Sequence, residues 1–297
     1  MRAFVTGGHG FVGPHLLAHL ASEGDDVVAP HQDEVDLDDA DALKAAITAA
    51  APDAIYHLAA LAHVGESWAD PMRTFDVNAV GTLRVLEVAR HLDPVPRVLL
   101  IGSAEVYGTV TAADVPIGED HPLRPVTPYA VSKVAGEYLG IQYHLGFGVP
   151  VVRARSFNHV GPGQSGQFVV ADIARRIADA VRDGNTSALR LGNPAARRDF
   201  TDVRDVVRAY RMLVTKGAPG EAYNVCSGVD VAIGDLVQRL LALSGADLTV
   251  EIDPALMRPV DVPVLVGDNQ KLRAQTGWTP AYSLDDTLRD VLAAFGV

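Results

Sequence analysis

The first thirteen residues restrict the fold more than any other part of this chain. A short apolar strand, Ala3–Val5, runs into the turn Gly7-Gly-His-Gly10-Phe-Val-Gly13, and a helical pattern follows over Val12–Ser22. Glycines three apart let a backbone turn tightly and bring bare N–H groups close to the start of a helix. The next strand is Asp26–Ala29 and the next helix Ala40–Ala50. Then come a strand at Ala54–Leu58, a long helix at Met72–Leu92, a strand at Val98–Ile101, a helix carrying Tyr129, and a strand at Val149–Arg153. Val35-Asp36-Leu37 reads as a stub strand. Strands joined through helices predict an α/β fold, a doubly wound parallel sheet with helices on both faces.

Beyond about Asn158 the pattern loosens. Helical segments at Val169–Arg182, Val203–Val214 and Leu284–Phe295 are separated by irregular stretches such as Gly161-Pro-Gly163. This predicts a dinucleotide-binding domain over residues 1–157 and a smaller lobe over 158–297, with some later segments returning to the first domain.

The glycine turn between first strand and first helix is where a dinucleotide pyrophosphate would lie against a helix N-terminus. An acid closing the second strand would suit NAD and an arginine NADP, but the strand ends in Ala29-Pro-His-Gln32, which is neither. Asp33 and Glu34 read as loop residues. The choice between NAD and NADP stays open.

Composition narrows the remaining classes. Charged residues are 21% and hydrophobic residues 48% of the 297, as in an ordinary globular protein. The formal charge of −12 argues against non-specific nucleic-acid binding. An anionic ligand must then be met by local cations, which draws attention to Arg197, Arg198 and Arg258. No apolar run is as long as a membrane span, and Met1 leads directly into a strand, so neither membrane partner nor signal peptide is expected. The single cysteine, Cys226, excludes an internal disulfide, suits a reducing cytoplasm and reads as a buried thiol. No His/Cys/Asp cluster has metal-ligand spacing, so no metal is expected.

Tyr129-Ala-Val-Ser-Lys133, with Ser103 upstream, suits proton transfer at a carbonyl or alcohol oxygen. Residues four apart share a helix face. An ammonium about 4 Å from a phenol contributes roughly 4 kcal/mol at an effective dielectric near 20. That is on the order of three pH units, enough to draw the phenol toward neutral pH. Ser103 would supply a hydroxyl to the oxygen on which charge develops.

Motifs through most of the chain make the resemblance specific. Thr6-Gly-Gly-His-Gly-Phe-Val-Gly13, His57-Leu-Ala-Ala60, Asn78-Ala-Val-Gly-Thr-Leu83, Ser103-Ala-Glu-Val-Tyr-Gly108 and Tyr129–Lys133 resemble those of the extended short-chain dehydrogenases/reductases acting on nucleotide sugars. The resemblance implies a Rossmann-type fold and Ser103, Tyr129 and Lys133 as catalytic residues. It places NAD or NADP against Gly7, Gly10, Phe11, Val12 and Gly13, with Asp36 and Leu37 flanking adenine. Leu58, Ala59, Ala60 and Ser156 would line the cofactor cleft beside Tyr129 and Lys133. It also implies a homodimer through a four-helix bundle formed by the helices around Met72–Leu92 and Tyr129–Leu145.

The later motifs Ser156-Phe-Asn-His-Val-Gly-Pro-Gly-Gln-Ser165, Arg198-Asp-Phe-Thr-Asp-Val-Arg-Asp205, Tyr223-Asn-Val-Cys-Ser-Gly228 and Leu256-Met-Arg-Pro-Val-Asp-Val-Pro263 most resemble the GDP-4-keto-6-deoxy-mannose reductases. By that resemblance Asn158, Val169, Arg198 and Arg258 would bind the nucleotide diphosphate sugar, and guanidinium forks suit a diphosphate. The related 4,6-dehydratases carry an aspartate or serine, then a glutamate, where this chain has Ala104 and Glu105. Alanine cannot transfer a proton, and Ala171-Asp172 stands where the GDP-mannose dehydratases carry basic residues. Glu105 is retained as a catalytic candidate and is the argument for a dehydratase. A 4-epimerase would use the same residues, and a non-catalytic dinucleotide sensor is the distant alternative.

Overall fold

The computed structural model describes residues 1–184, 188–257 and 262–297. The chain opens with β1 (Arg2–Thr6), α1 (Val12–Ser22), β2 (Asp26–Val28), α2 (Ala40–Ala50) and β3 (Ala54–His57). Two short helices follow, α3 (Val64–Ala69) and α4 (Pro71–Phe75), and then α5 (Gly81–Ala89), β4 (Arg97–Ser103), α6 (Pro128–Phe147) and β5 (Val151–Ser156). The second half holds β6 (Asn158–Val160), α7 (Val169–Asp183), β7 (Leu189–Leu191), β8 (Arg197–Asp202), α8 (Val203–Lys216) and β9 (Ala222–Val225). It ends with β10 (Asp230–Ala232), α9 (Ile233–Ser244), β11 (Val250–Ile252), β12 (Val264–Leu265), α10 (Gln270–Thr276) and α11 (Leu284–Ala294).

The main sheet has six strands in the order β2-β1-β3-β4-β5-β9, and every pairing is parallel. Parallel strands need crossovers, and the helices that supply them bury both faces. On one face Leu16 and Leu20 of α1 meet Val206, Tyr210 and Leu213 of α8 and the fully buried Trp278. On the other, Leu43 and Ile47 of α2, Val85 and Leu86 of α5 and Tyr143 of α6 close over Phe4, Ile55, Val98 and Leu100. From β1 the chain goes to β2 on one side and then crosses back to β3 on the other, so the crevice at the carboxyl ends of β1 and β3 is a topological switch point, where ligands of such sheets bind.

The second half builds its own small sheet, β10-β8-β12 with β6 also on β8, and a two-stranded β11-β7 pair. Its core lies between these strands and α7, α9 and α11. From the same half, α8, β9 and α10 pack with the main sheet; β9 is paired with β5, and Leu272 of α10 joins the α1–α8 core.

Several expectations need correction. Val35–Leu37 forms turns and no strand. The Asp36 carboxylate accepts from the Asp38 N–H at 2.9 Å and Asp39 caps α2, so local side-chain bonds turn the chain from here into the helix. The last strand of the first half starts at Val151 and extends to Ser156, later than Val149–Arg153, while β4 runs on to Ser103. The helix expected over Met72–Leu92 starts at Pro71, ends at Ala89 and is interrupted: α4 passes into a π turn at Asp76–Val80 before α5 resumes. Within that turn the buried Asn78 accepts from Leu61 N–H at 2.8 Å and donates to Leu61 O and Ser132 Oγ, both at 3.0 Å.

Candidate active site

The glycine turn is built by near-contact between backbones. Gly7 has φ +70°, and a Cβ there would lie 2.6 Å from Ala59 N. A Cβ on Gly13 would lie 2.1 Å from Gly8 O, so only glycine lets α1 approach the turn. Gly10 differs: an added Cβ would meet nothing nearer than Gly7 O at 3.5 Å. Its outer side is open, as close approach of a pyrophosphate requires. Phe11 and Val12 begin α1 with no capping side chain and no acid in the first turn, whereas α2 and α6 are capped by Asp39 and Thr127. The uncapped start and bare turn together fit the diphosphate of a dinucleotide.

Ala59 and Ala60 leave β3 partly exposed beside this turn, and Leu58 packs against the α1–α8 core. Thr6 Oγ1 accepts from Ala59 N–H at 3.3 Å and pairs with His57 Nδ1 at 2.8 Å, which fixes the backbone that Gly7 touches. Leu37 packs with the α2–α5 core and faces Gly81, and Asp36 is half-buried beside it. At the end of β2, the rings of His9 and His31 lie 4.2 Å apart, and His9 Nε2 meets Ala29 O at 3.2 Å. Asp33 lies 3.5 Å from His31 Nδ1 and Glu34 accepts from the His31 N–H at 2.9 Å, so both acids are turned to His31.

Ser103 ends β4, opposite Ser156 at the end of β5, and Tyr129 sits in the first turn of α6. Ser103, Tyr129 and Lys133 therefore converge just beyond the carboxyl ends of the central strands. Ser103 Oγ also accepts from Glu105 N–H at 3.2 Å and so caps the 3-10 turn Ala104–Tyr107. Ala104 is buried beneath that turn, while Glu105 is half-exposed.

The tyrosine–lysine pair departs from expectation. Lys133 Nζ donates to Ile101 O at 3.0 Å and lies 5.9 Å from the centre of the Tyr129 ring. Burial pushes the Tyr129 phenol up to about 12; the Ser103 hydroxyl pulls it down and the charge of Glu105 pushes it up. Burial draws Lys133 down to about 8, with Glu137 acting to raise it. The expected depression of the phenol is thus overturned. Two groups removed from water both favour their neutral forms, and the ammonium is turned toward a carbonyl.

Ser156, expected at the cofactor, has its hydroxyl 2.6 Å from the buried Tyr210 OH. Asn158 opens β6 opposite Phe200 of β8, Val169 is the first residue of α7, and half-exposed Arg198 lies on β8 with Nη1 donating to Arg197 O at 2.9 Å. Arg197 pairs with Asp230. Arg258 lies outside the described residues. His159 is half-buried and stacks on Phe11 with ring centres 6.0 Å apart, and its partial removal from water lowers its pKa. Phe11 thereby joins the glycine turn to β6.

Sequence reasoning gave no role to two residues that hold this arrangement, although Asn78 opens one of the motifs quoted above. Asn78 ties the backbone after Ala60 to α6 through Ser132, whose hydroxyl donates to Tyr129 O at 2.7 Å. Glu137, one turn beyond Lys133, is 2% exposed and takes Arg155 Nη2 at 2.9 Å and Arg153 Nη1 at 3.3 Å. Its position four residues after Lys133 was the available signal; the arginine partners lie on a distant strand.

A parallel sheet with a bare glycine turn at its switch point, and serine, tyrosine and lysine gathered at the strand ends, defines an extended short-chain dehydrogenase/reductase. The family model described as GDP-mannose 4,6 dehydratase matches residues 29–291, and the chain belongs to that family. It is 39% identical over 293 residues to the GDP-6-deoxy-D-mannose reductase of Pseudomonas aeruginosa, covering 98% of this chain and 96% of the relative. It is 29% identical over 302 residues to a GDP-mannose 4,6-dehydratase of Vibrio cholerae, covering 89% and 80%. Among solved structures, RMD from Pseudomonas aeruginosa complexed with NADPH superposes with a TM-score of 0.91 at 38% identity, over 99% of this chain and 98% of that one. The UDP-glucose 4-epimerase of Thermus thermophilus complexed with NAD gives 0.89 at 29% identity, over 99% of both chains.

Proposed function

We propose that this chain catalyses the NAD(P)H-dependent reduction of the C4 keto group of a GDP-4-keto-6-deoxy-hexose to a GDP-6-deoxy-hexose of the rhamnose type. The observation that carries the reading is the near end-to-end match to a GDP-6-deoxy-D-mannose reductase, at 39% identity. The chemistry of the site agrees with it. Bound along the glycine turn, the nicotinamide cofactor supplies a hydride. Ser103 holds the C4 carbonyl oxygen through its hydroxyl. Tyr129, kept protonated by burial, gives its proton to that oxygen as charge develops there. A secondary alkoxide is a stronger base than a phenolate, so the transfer runs downhill. Lys133 stabilises the phenolate left on Tyr129. Asn158, Val169, Arg198 and Arg258 bind the nucleotide diphosphate sugar in this reading.

Reduction needs no proton donor or acceptor at residue 104, and Ala104 offers none. Retention of Glu105 favours the dehydratase as the second reading. The test is NADPH or NADH oxidation with GDP-4-keto-6-deoxy-mannose, beside incubation with GDP-mannose. Cofactor oxidation with the keto sugar supports the reductase; water loss from GDP-mannose replaces it with the dehydratase.

The chain is also proposed to form a homodimer through α3–α6. Val131, Tyr138 and Leu145 recur every seven residues along α6 and are exposed, as are Trp68, Met72 and Phe75 on α3 and α4. Such a stripe is an unpartnered helical face. Among the described residues no helix is long and apolar enough to cross a membrane, so the stripe does not belong to a span. Sedimentation should give a dimer that Met72→Glu with Leu145→Glu converts to monomers. A dimer that survives both changes would point to another surface.

A further inference from the structure

We infer that Glu137 is the fixed countercharge that keeps Lys133 an ammonium, and so acts as a positioning residue for the proton-transfer pair. The inference rests on the role given to Lys133 above. Tyr129, Lys133 and Glu137 are spaced by four along α6 and share one face of it. The Glu137 carboxylate is buried and accepts from Arg155 Nε at 3.1 and 3.0 Å, from Arg155 Nη2 at 2.9 Å and from Arg153 Nη1 at 3.3 Å. It is pressed against β4 directly behind Ser103, where a Cβ on Gly102 would lie 2.8 Å from Glu137 Oε1.

The groups around Lys133 show why an anion is needed there. From α6 come Tyr129 and Glu137, and from β3 comes His57, which burial drives down to about 3 and so holds neutral. From β4 come the Ile101 carbonyl and Ser103, followed by Glu105, and β5 brings Arg153 and Arg155 onto Glu137, with Glu221 acting on Arg153. Without Glu137 this interior would hold three cations and would lose the buried carboxylate to which both arginines donate. Burial already favours an uncharged Lys133, and Glu137 opposes that tendency. A neutral amine would give no charge stabilisation to a Tyr129 phenolate. Arg155 also donates to Tyr107 OH at 3.0 Å and Glu119 O at 2.7 Å, so the same carboxylate braces the turn that follows Ser103.

The experiment is a pH titration of the full chain carrying 13Cε-lysine, followed by NMR, with the Lys133 signal assigned by its loss in Lys133→Met. Glu137→Gln should lower the Lys133 midpoint by about one pH unit, as expected for a charge one helical turn away. Glu137→Asp, which keeps the charge, should leave the midpoint near that of the wild type. The alkaline limb of the reduction rate should move with the midpoint in each variant. A folded Glu137→Gln whose midpoint stays in place overturns the inference, whatever happens to the rate. Should that variant not fold, Glu137→Met combined with Arg155→Met, which replaces the buried ion pair by apolar side chains, decides: a lowered midpoint supports the countercharge, an unmoved one overturns it. Because the titration needs no turnover, failure of the reductase reading would appear separately, as absence of cofactor oxidation.

Discussion

Lys133 and Tyr129 share a helix face, yet no hydrogen bond joins them: the ammonium donates to Ile101 O at 3.0 Å, and the phenol stands beside Ser103. The tyrosine thus keeps its proton through the neutral range, and the lysine is the first of the pair to titrate.

Reduction should therefore weaken on the alkaline side. Lys133 is held near 8, below its ordinary value, so its charge is lost as pH rises through 8 while Tyr129, near 12, is still protonated. The rate with saturating cofactor should fall about tenfold for each pH unit above that midpoint. A rate constant from pH 7 to 10 would show that the ammonium is not needed.

Tyr129→Phe should lower the turnover rate by roughly 100- to 10,000-fold, the usual worth of a positioned proton donor. Ser103→Ala should cost about 100-fold through loss of the hydrogen bond to the developing oxyanion. Fluorescence titration should show cofactor affinity nearly unchanged in Ser103→Ala. Near-normal turnover in Tyr129→Phe would assign the proton to another group.

The glycine turn separates fold from binding. Gly7→Ala combines a positive φ with a clash on Ala59 N and should destabilise the protein by about 1–3 kcal/mol. Gly10→Ala has room for its methyl group, so its melting temperature should stay near wild type while cofactor affinity falls at least tenfold. Thermal unfolding without ligand and cofactor titration measure the two separately. Unchanged affinity in Gly10→Ala would remove the turn from the binding site.

His57 should make the fold sensitive to acid. It lies between Thr6 and Thr82, at 2.8 Å and 3.1 Å, and burial draws its pKa down to about 3. Between that value and the ordinary 6.5 the unfolded chain binds the proton and the folded chain does not, so stability falls as pH drops through this window. From pH 7 to 5 this single group accounts for on the order of 2 kcal/mol. Denaturant titrations of His57→Gln should show a shallower loss over the same interval, and an equal loss would assign the acid sensitivity elsewhere.

The main sheet was legible because its strands are buried on both faces and read as apolar runs between amphipathic helices. The glycine turn and the tyrosine–lysine spacing are local patterns, and local patterns survive in a sequence. The short strands of the second half were not readable in this way. β6 and β8 pair across forty residues, and their charged and polar members, Arg197 to Asp202, are satisfied by distant groups such as Asp230, Ser227 and Thr287. The direction of the Tyr129 shift was hidden for the same reason, since depth of burial and the orientation of Lys133 toward Ile101 are properties of packing rather than spacing. Arg153 and Arg155 looked like strand residues of no special note until β5 brought them under α6.

The π turn at Asp76–Val80 makes the length of that helix a functional quantity. Each residue of a helix advances its side chains by about 100° around the axis. A turn closed by i→i+5 bonds takes one residue more than an α turn, so the surplus residue is absorbed without turning α4 against α5. Deleting it would leave Leu86 in the core and Met72 and Phe75 on the exposed stripe, but would remove the bulge that aims Asn78 at Leu61. The surplus residue thus serves the cofactor cleft rather than the outer helical face, and a deletion there should weaken cofactor binding while the outer face keeps its form.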